Sequence, residues 1–217
     1  MCPSDLRKSC AAALLLLASA ATLACDVPPG VAADRIVPLV RNRAFVEGAR
    51  ELKGQVLPVR WLNSELAVVF AENTLVQVKY FRVAPEQATC WEGHAALHDA
   101  LRNVTRTMKP MQVFDPTPGI TLLSIGGALE SSLILAPQVL RQAVQGRLDT
   151  MLVGIPNRHT LFIADPQNTQ AVEALRHAVA EAYSKGSNPI SAKLFLVSSC
   201  ELSVVADDTV PTPKPCS

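Results

Sequence analysis

The chain carries none of the short motifs that tie residue types to a reaction. It has no G-x-S-x-G nucleophile elbow, no H-E-x-x-H zinc helix, no P-loop and no glycine-rich dinucleotide fingerprint. The enzyme classes that announce themselves this way therefore have no support, and no cofactor is implied. C-x-x-C is missing too, which removes the common dithiol redox motif and the zinc knuckle. Charge of one sign is also lacking: formal net charge is +1, with no basic run. That leaves no electrostatic footprint for nucleic acid or an anionic membrane surface. The apolar run Ala11 to Ala21 is too short to span a bilayer as a helix.

That run instead has the form of an export leader. Arg7 and Lys8 make a short positive segment before it, and Ala18-Ser19-Ala20 and Thr22-Leu23-Ala24 offer small residues for cleavage. From 20 basic and 19 acidic residues, residues 1–24 remove two and one, leaving 18 of each and a neutral mature chain. Cys25 follows directly, the position of a lipidated cysteine in a bacterial lipoprotein, although Thr22 stands where such signals usually place Leu. The expected products are a periplasmic protein or one anchored to the membrane by lipid on Cys25. The mature chain keeps Cys25, Cys90, Cys200 and Cys216, which allow three pairings. With Cys25 lipidated, Cys200 with Cys216 is the favoured disulfide, because it would staple the proline-rich tail to the last strand.

At 217 residues, 49% hydrophobic and 18% charged, the chain has the size and composition of one folded domain. Its clearest unit is Thr150 to Gly186. Met151 to Ile155 and Thr160 to Ile163 read as strands joined by a turn at Pro156-Asn157-Arg158-His159. Asp165-Pro166 then opens a helix with the stripe Val172, Leu175, Val179 and Tyr183, and Lys185 and Gly186 close it.

Other elements are shorter. Strands are expected at Ile36 to Val40, Leu57 to Leu62, Leu66 to Phe70, Leu75 to Phe81, Ile120 to Ile125, Ser132 to Leu135, Leu194 to Val197 and Leu202 to Val205. Helices are expected at Phe45 to Leu52, Pro85 to Met108 and Pro137 to Leu148, and Val113 to Gly119 reads as a turn-rich connector. Hairpins dominate the connections. The expected class is α+β, a mostly antiparallel sheet of hairpins with amphipathic helices packed on it. The domains are a leader at 1–24, a tether at 25–35, one α+β domain at 36–206 and a proline-rich tail at 207–217.

Six pieces resemble the YtpQ-like bacterial family, whose domain has no assigned activity: IVPLVRN (Ile36 to Asn42), LAVVFAEN (Leu66 to Asn73), ALRNV (Ala100 to Val104), LESSLIL (Leu129 to Leu135), VGIPNRHTLF (Val153 to Phe162) and ISAKLF (Ile190 to Phe195). They stand in the family's order and cover most of Ile36 to Val197. The resemblance implies a shared fold. It implies ligand-binding positions at Glu72 (usually Asp), Asn103, Glu130, Ser132 and Arg158. His159 stands where the family usually has Asp, a lost charge partner for Arg158. The family is largely cytoplasmic, so the leader and tail are additions to it.

Two groups hold the remaining chemistry. Cys90, His94 and His98 fall four apart on the long expected helix, and neighbouring members such as His94 and His98 would share a metal. The outer pair lies about 12 Å apart, so the three cannot act together. A small buried cysteine flanked by a histidine is the commoner meaning of such a row. Arg158 with Glu72 and Glu130 would grip a ligand carboxylate or phosphate, or form a structural ion pair between hairpins. Two functions follow. One is an exported binding or interaction module for a protein or small-molecule ligand. The other is a hydrolase using the Glu72, Glu130 and Arg158 group, or a metal at His94 and His98, which requires those groups to converge.

Overall fold

The apolar runs pair antiparallel into two sheets. The computed structural model describes residues 25–49, 51–74, 77–127, 129–198 and 202–205. The expected leader at 1–24 and the pairing of Cys200 with Cys216 lie outside them, as does the tail.

In the first sheet, β1 (Ile36–Asn42) and β4 (Val59–Trp61) flank β5 (Leu66–Asn73), and β6 (Val78–Tyr80) pairs with the far end of β5. The second sheet follows the order β12-β11-β9-β10-β8-β7. It is made of β7 (Gln112–Thr117), β8 (Ile120–Ser124), β9 (Met151–Asn157), β10 (Thr160–Ala164), β11 (Leu194–Val197) and β12 (Leu202–Val204). A small ribbon of β2 (Glu51–Leu52) and β3 (Gln55–Val56) hangs between α1 (Arg43–Ala49) and β4. The chain is α+β with antiparallel sheets and packed helices.

Period-two alternation decides which side chains meet. In β5, Ala67, Val69 and Ala71 face a central core, while Val68 and Phe70 face Trp91 of α2 (Pro85–Glu92) and Ala96 and Ala100 of α3 (His94–Thr107). In β9, Met151, Val153 and Ile155 enter the same central core, and Leu152 turns to Val172, Leu175 and Val179 of α5 (Thr169–Lys185). The two sheets thus share one core, filled out by Leu133, Ile134, Leu140 and Val144. Helices cover the outer sides, α2–α3 on the first sheet and α5 on the second. Both long strands are buried on both faces, which is why β5 and β9 read as unbroken apolar runs.

Gly154 lets α5 sit close. A Cβ there would lie 2.2 Å from Val179 Cγ2. Gly186 ends α5 with an ordinary φ of −80°, so its role is room, not left-handed backbone: a Cβ would crowd Ala182 O and Asn157 Nδ2, both at 2.6 Å.

Several expectations are corrected. The helix expected from Pro85 to Met108 is two helices, broken at Gly93, where extended backbone (ψ 160°) interrupts the row Cys90, His94, His98. Glycine's helix cost of about 1 kcal/mol makes it the weakest point of that run. The break accompanies the packing of Trp91 on Phe70 and Phe81, with ring centroids 5.2 and 5.0 Å apart. Val113 to Thr117 is no connector but most of edge strand β7, exposed throughout, so alternation could not reveal it, while Pro118-Gly119 is the expected turn. Ser132 to Leu135 is not a strand; Glu130–Leu135 is a 3-10 turn, since a four-residue apolar run suits either form. Helix α5 is capped by Asn168, whose Oδ1 accepts the Ala171 N–H at 3.1 Å, while Asp165 Oδ1 instead accepts the Gln167 N–H at 2.8 Å. Tyr183 lies outside the buried stripe and is exposed. Helix α1 stops at Ala49, and α4 (Pro137–Ala143) stops before Gln145 and Gly146, both with positive φ.

The expected tether is not loose. Val27 and Val31 pack beside Trp91, and the Ala32 N–H donates to Glu72 Oε1 at 3.1 Å. Cys25 is buried there and bonded to Cys90, with Cα atoms 5.7 Å apart. Cys90, the small buried cysteine of that expectation, is exposed and serves as this anchor.

Candidate functional site

Of the residues expected to bind a ligand, Glu72, Asn103 and Glu130 are each engaged separately. Glu72 lies half-buried on β5 and holds the Ala32 N–H, fastening the N-terminal segment. Asn103 is buried on α3, and its Nδ2 donates to Ala33 O at 3.0 Å and Ile36 O at 2.8 Å. Those bonds seat the start of β1, a structural task. Glu130 is 2% exposed, and its carboxylate is consumed by its own loop. Oε1 accepts N–H groups of Ile125 (3.2 Å) and Gly127 (3.1 Å), and Oε2 accepts that of Leu129 (3.1 Å). Buried carboxylates survive when so satisfied.

Arg158 follows β9 in the hairpin turn, and no ion pair joins it to either glutamate among the described residues. A hydrolase built on Glu72, Glu130 and Arg158 therefore has no ion pair among these groups to support it. His159, beside it, sets its Nδ1 3.1 Å from Gly127 O.

The histidine pair fares no better. His94 lies within hydrogen-bond distance of the Arg60 guanidinium, at 3.1 and 3.2 Å from the two ring nitrogens, and a cation there opposes a second one. His98 is exposed beside Asp99, which Arg102 also engages. No group of three or more His, Cys, Asp or Glu residues among the described ones is placed to hold a metal.

What the structure does bring together is a set of donors. Arg41, near the end of β1, is 4% exposed. Its Nε donates to the Tyr80 hydroxyl at 2.7 Å, Nη2 donates to the same oxygen, and the guanidinium lies 5.2 Å from the Phe45 ring centroid. Burial pulls its pKa down from the ordinary arginine value, Tyr80 opposes that, and the Arg158 charge pulls it down further. Ser131 and Ser132 are fully buried in the 3-10 turn, which packs against β1, β9 and β10. The Ser131 N–H donates to Arg158 O at 3.4 Å. The Ser131 and Ser132 hydroxyls and Arg158 Nε are buried with no protein partner.

Sequence reasoning found Ser132 and Arg158 in this cluster and missed Arg41, Ser131 and Tyr80. The available signal was Arg41 itself, a charge directly after the apolar run IVPLV.

A cavity of about 420 Å³ opens elsewhere, between the β7–β8 turn, the segment after α4 and the end of β10. Asp115, Thr121, Arg147 and Asp165 line it, and each already makes a local bond. Thr121 Oγ1 donates to Asp115 at 3.1 Å, Arg147 Nε donates to Val144 O at 3.0 Å, and Asp165 holds Gln167. None of the expected binding residues lines it.

No helix among the described residues is long and apolar enough to cross a membrane. No family model, curated protein or solved structure matches the chain.

Proposed function

We propose that the protein is an exported module of the cell envelope that binds a ligand or partner and performs no reaction of its own. The observation that carries export is the disulfide between Cys25 and Cys90. Such bonds persist in oxidising compartments and are rare where thiols are kept reduced. The leader pattern before Cys25 supports the same address. On this reading the chain is a periplasmic relative of the otherwise largely cytoplasmic YtpQ-like family, whose motifs it resembles.

The disulfide also bears on the anchor. One cysteine sulfur cannot carry both a thioether to a lipid and a bond to Cys90. We therefore favour the freely soluble form over anchoring through Cys25. The hydrolase reading is the weaker alternative, because its two glutamates are occupied by backbone N–H groups and its histidines by a cation and an exposed surface.

Intact mass under non-reducing conditions, on protein recovered from soluble and membrane fractions, tests this. The expected species is soluble, lacks the leader and yields a Cys25–Cys90 linked peptide on digestion. An acyl group on Cys25 would replace the freely soluble form by an anchored one and exclude the Cys25–Cys90 bond, while an unprocessed chain with both thiols free would end the proposal.

A further inference from the structure

Buried donors outnumber acceptors where the 3-10 turn meets β1 and the β9–β10 hairpin. Arg41 contributes a guanidinium whose identified acceptor is a neutral phenol. Arg158 contributes a second guanidinium with a buried, unpartnered Nε. Ser131 and Ser132 add two hydroxyls that are 0% exposed and have no protein partner. Three segments carry these groups, and they touch: the turn packs on β1, β9 and β10, and Ser131 donates its N–H to Arg158 O.

Physical accounting makes this arrangement unusual. Buried side-chain polar atoms nearly always find partners, and each one left without calls for an explanation. Among the described residues Asn63 Nδ2, Arg82 Nε and Trp91 Nε1 are also unpartnered, but those stand on separate segments, whereas three such atoms fall together here. Water would satisfy the hydroxyls but would not cancel two positive charges. Guanidinium groups do not shed a proton at accessible pH, so that route to relief is closed. The carboxylate nearest in the chain, Glu130, is committed to the N–H groups of Ile125, Gly127 and Leu129. No other carboxylate among the described residues lies in ion-pair range of Arg41 or Arg158. What the cluster lacks is an anion with several acceptor lone pairs.

We propose that Arg158, backed by Arg41 and the hydroxyls of Ser131 and Ser132, grips the oxyanion head of a small ligand, a carboxylate or a phosphate. Arg158 is the partly exposed member, on a hairpin turn, and marks the side from which the ligand arrives. Its planar fork suits either group, and the serine hydroxyls supply further donors. Arg41, pinned by Tyr80 and stacked beside Phe45, contributes charge from a fixed position. This rests on the binding-module reading and names the chemical class its ligand would have.

The test is a thermal-shift and calorimetric titration of the purified, oxidised chain with inorganic phosphate and, separately, acetate, with sodium chloride at matched ionic strength as the reference. A saturable rise in Tm with phosphate, acetate or both is expected, and the stronger probe identifies the head group. Arg158→Gln should weaken that binding about tenfold or more, the size set by losing a charge-assisted bond. Ser131→Ala/Ser132→Ala should weaken it without removing the charge, and keeps the test open should Arg158→Gln fail to fold. Arg102→Gln, on the exposed face of α3, should change nothing. If neither anion exceeds chloride, or the Arg158 and serine variants titrate like wild type, the proposal fails. That outcome leaves the mass measurement of export untouched, so the two readings can fail separately.

Discussion

Removing the Cys25–Cys90 bond should cost the fold several kcal/mol, and the amount can be worked from the structure. The bond spans 65 residues, so it shortens the unfolded chain's freedom by a loop of that size. The chain-entropy estimate for such a loop is about 4.3 kcal/mol at 25 °C. Strain and residual order in the unfolded chain usually lower it, so about 2–4 kcal/mol is the working range. Packing adds to the loss, because Cys25 sits in the cluster with Trp91, Phe70 and Phe81 and holds Val27 and Val31 against it. For a domain of this length each kcal/mol shifts Tm by about 2–4 °C, so Cys25→Ser/Cys90→Ser should melt about 4–16 °C lower. Urea unfolding with the remaining cysteines left oxidised isolates this bond from any other. The double variant should have a lower midpoint. Equal midpoints for variant and wild type would refute the reasoning, and would mean residues 25–35 are held by packing and by their bonds to Glu72 and Asn103.

Two further outcomes test the fold and the site. Gly154→Ala should destabilise by about 1–3 kcal/mol, the usual cost of overpacking, because its Cβ would stand 2.2 Å from Val179 Cγ2 and push α5 off β9. A paired Gly154→Ala/Val179→Ala variant that recovered none of the urea midpoint would contradict that contact. Glu130→Ala should cost about 3 kcal/mol or more, since it strips acceptors from three backbone N–H groups, two of them in buried bonds. A stable Glu130→Ala protein would show that the 124–129 loop does not depend on this carboxylate.

Much of the secondary structure was legible, for a local reason. β1, β5, β9, β10 and β11 are continuous apolar or β-branched runs bounded by turn residues, and α5 carries a stripe that only a helix makes contiguous. The β9–β10 hairpin and the α+β class followed from those signals, although the turn is only Arg158-His159 and the expected turn residues Pro156 and Asn157 belong to β9. Where no local pattern existed, the reading failed. β7 has neither a buried face nor alternation, and exists because β8 offers it an edge. The 130–135 turn has a strand's composition but is bent to fit between β1 and the β9–β10 hairpin.

The candidate site divides the same way. Sequence alone determined that Arg158 sits on a turn and that Ser131 and Ser132 sit in an apolar run, because spacing and neighbours set those contexts. Only the tertiary structure decided that Glu72, Asn103 and Glu130 bind backbone groups, since their partners at Ala32, Ala33, Ile36 and the 125–129 loop are chosen by packing. The same holds for Cys25 and Cys90. Four cysteines permit three pairings, and distance in the folded chain joins Cys25 to Cys90. Arg41 and Arg158 stand 117 residues apart in the chain, and no local rule brings two like charges together. The core that joins the two sheets brings Arg158 near enough for its charge to act on Arg41, and it buries Arg41, a charge that local chemistry alone would have left in water.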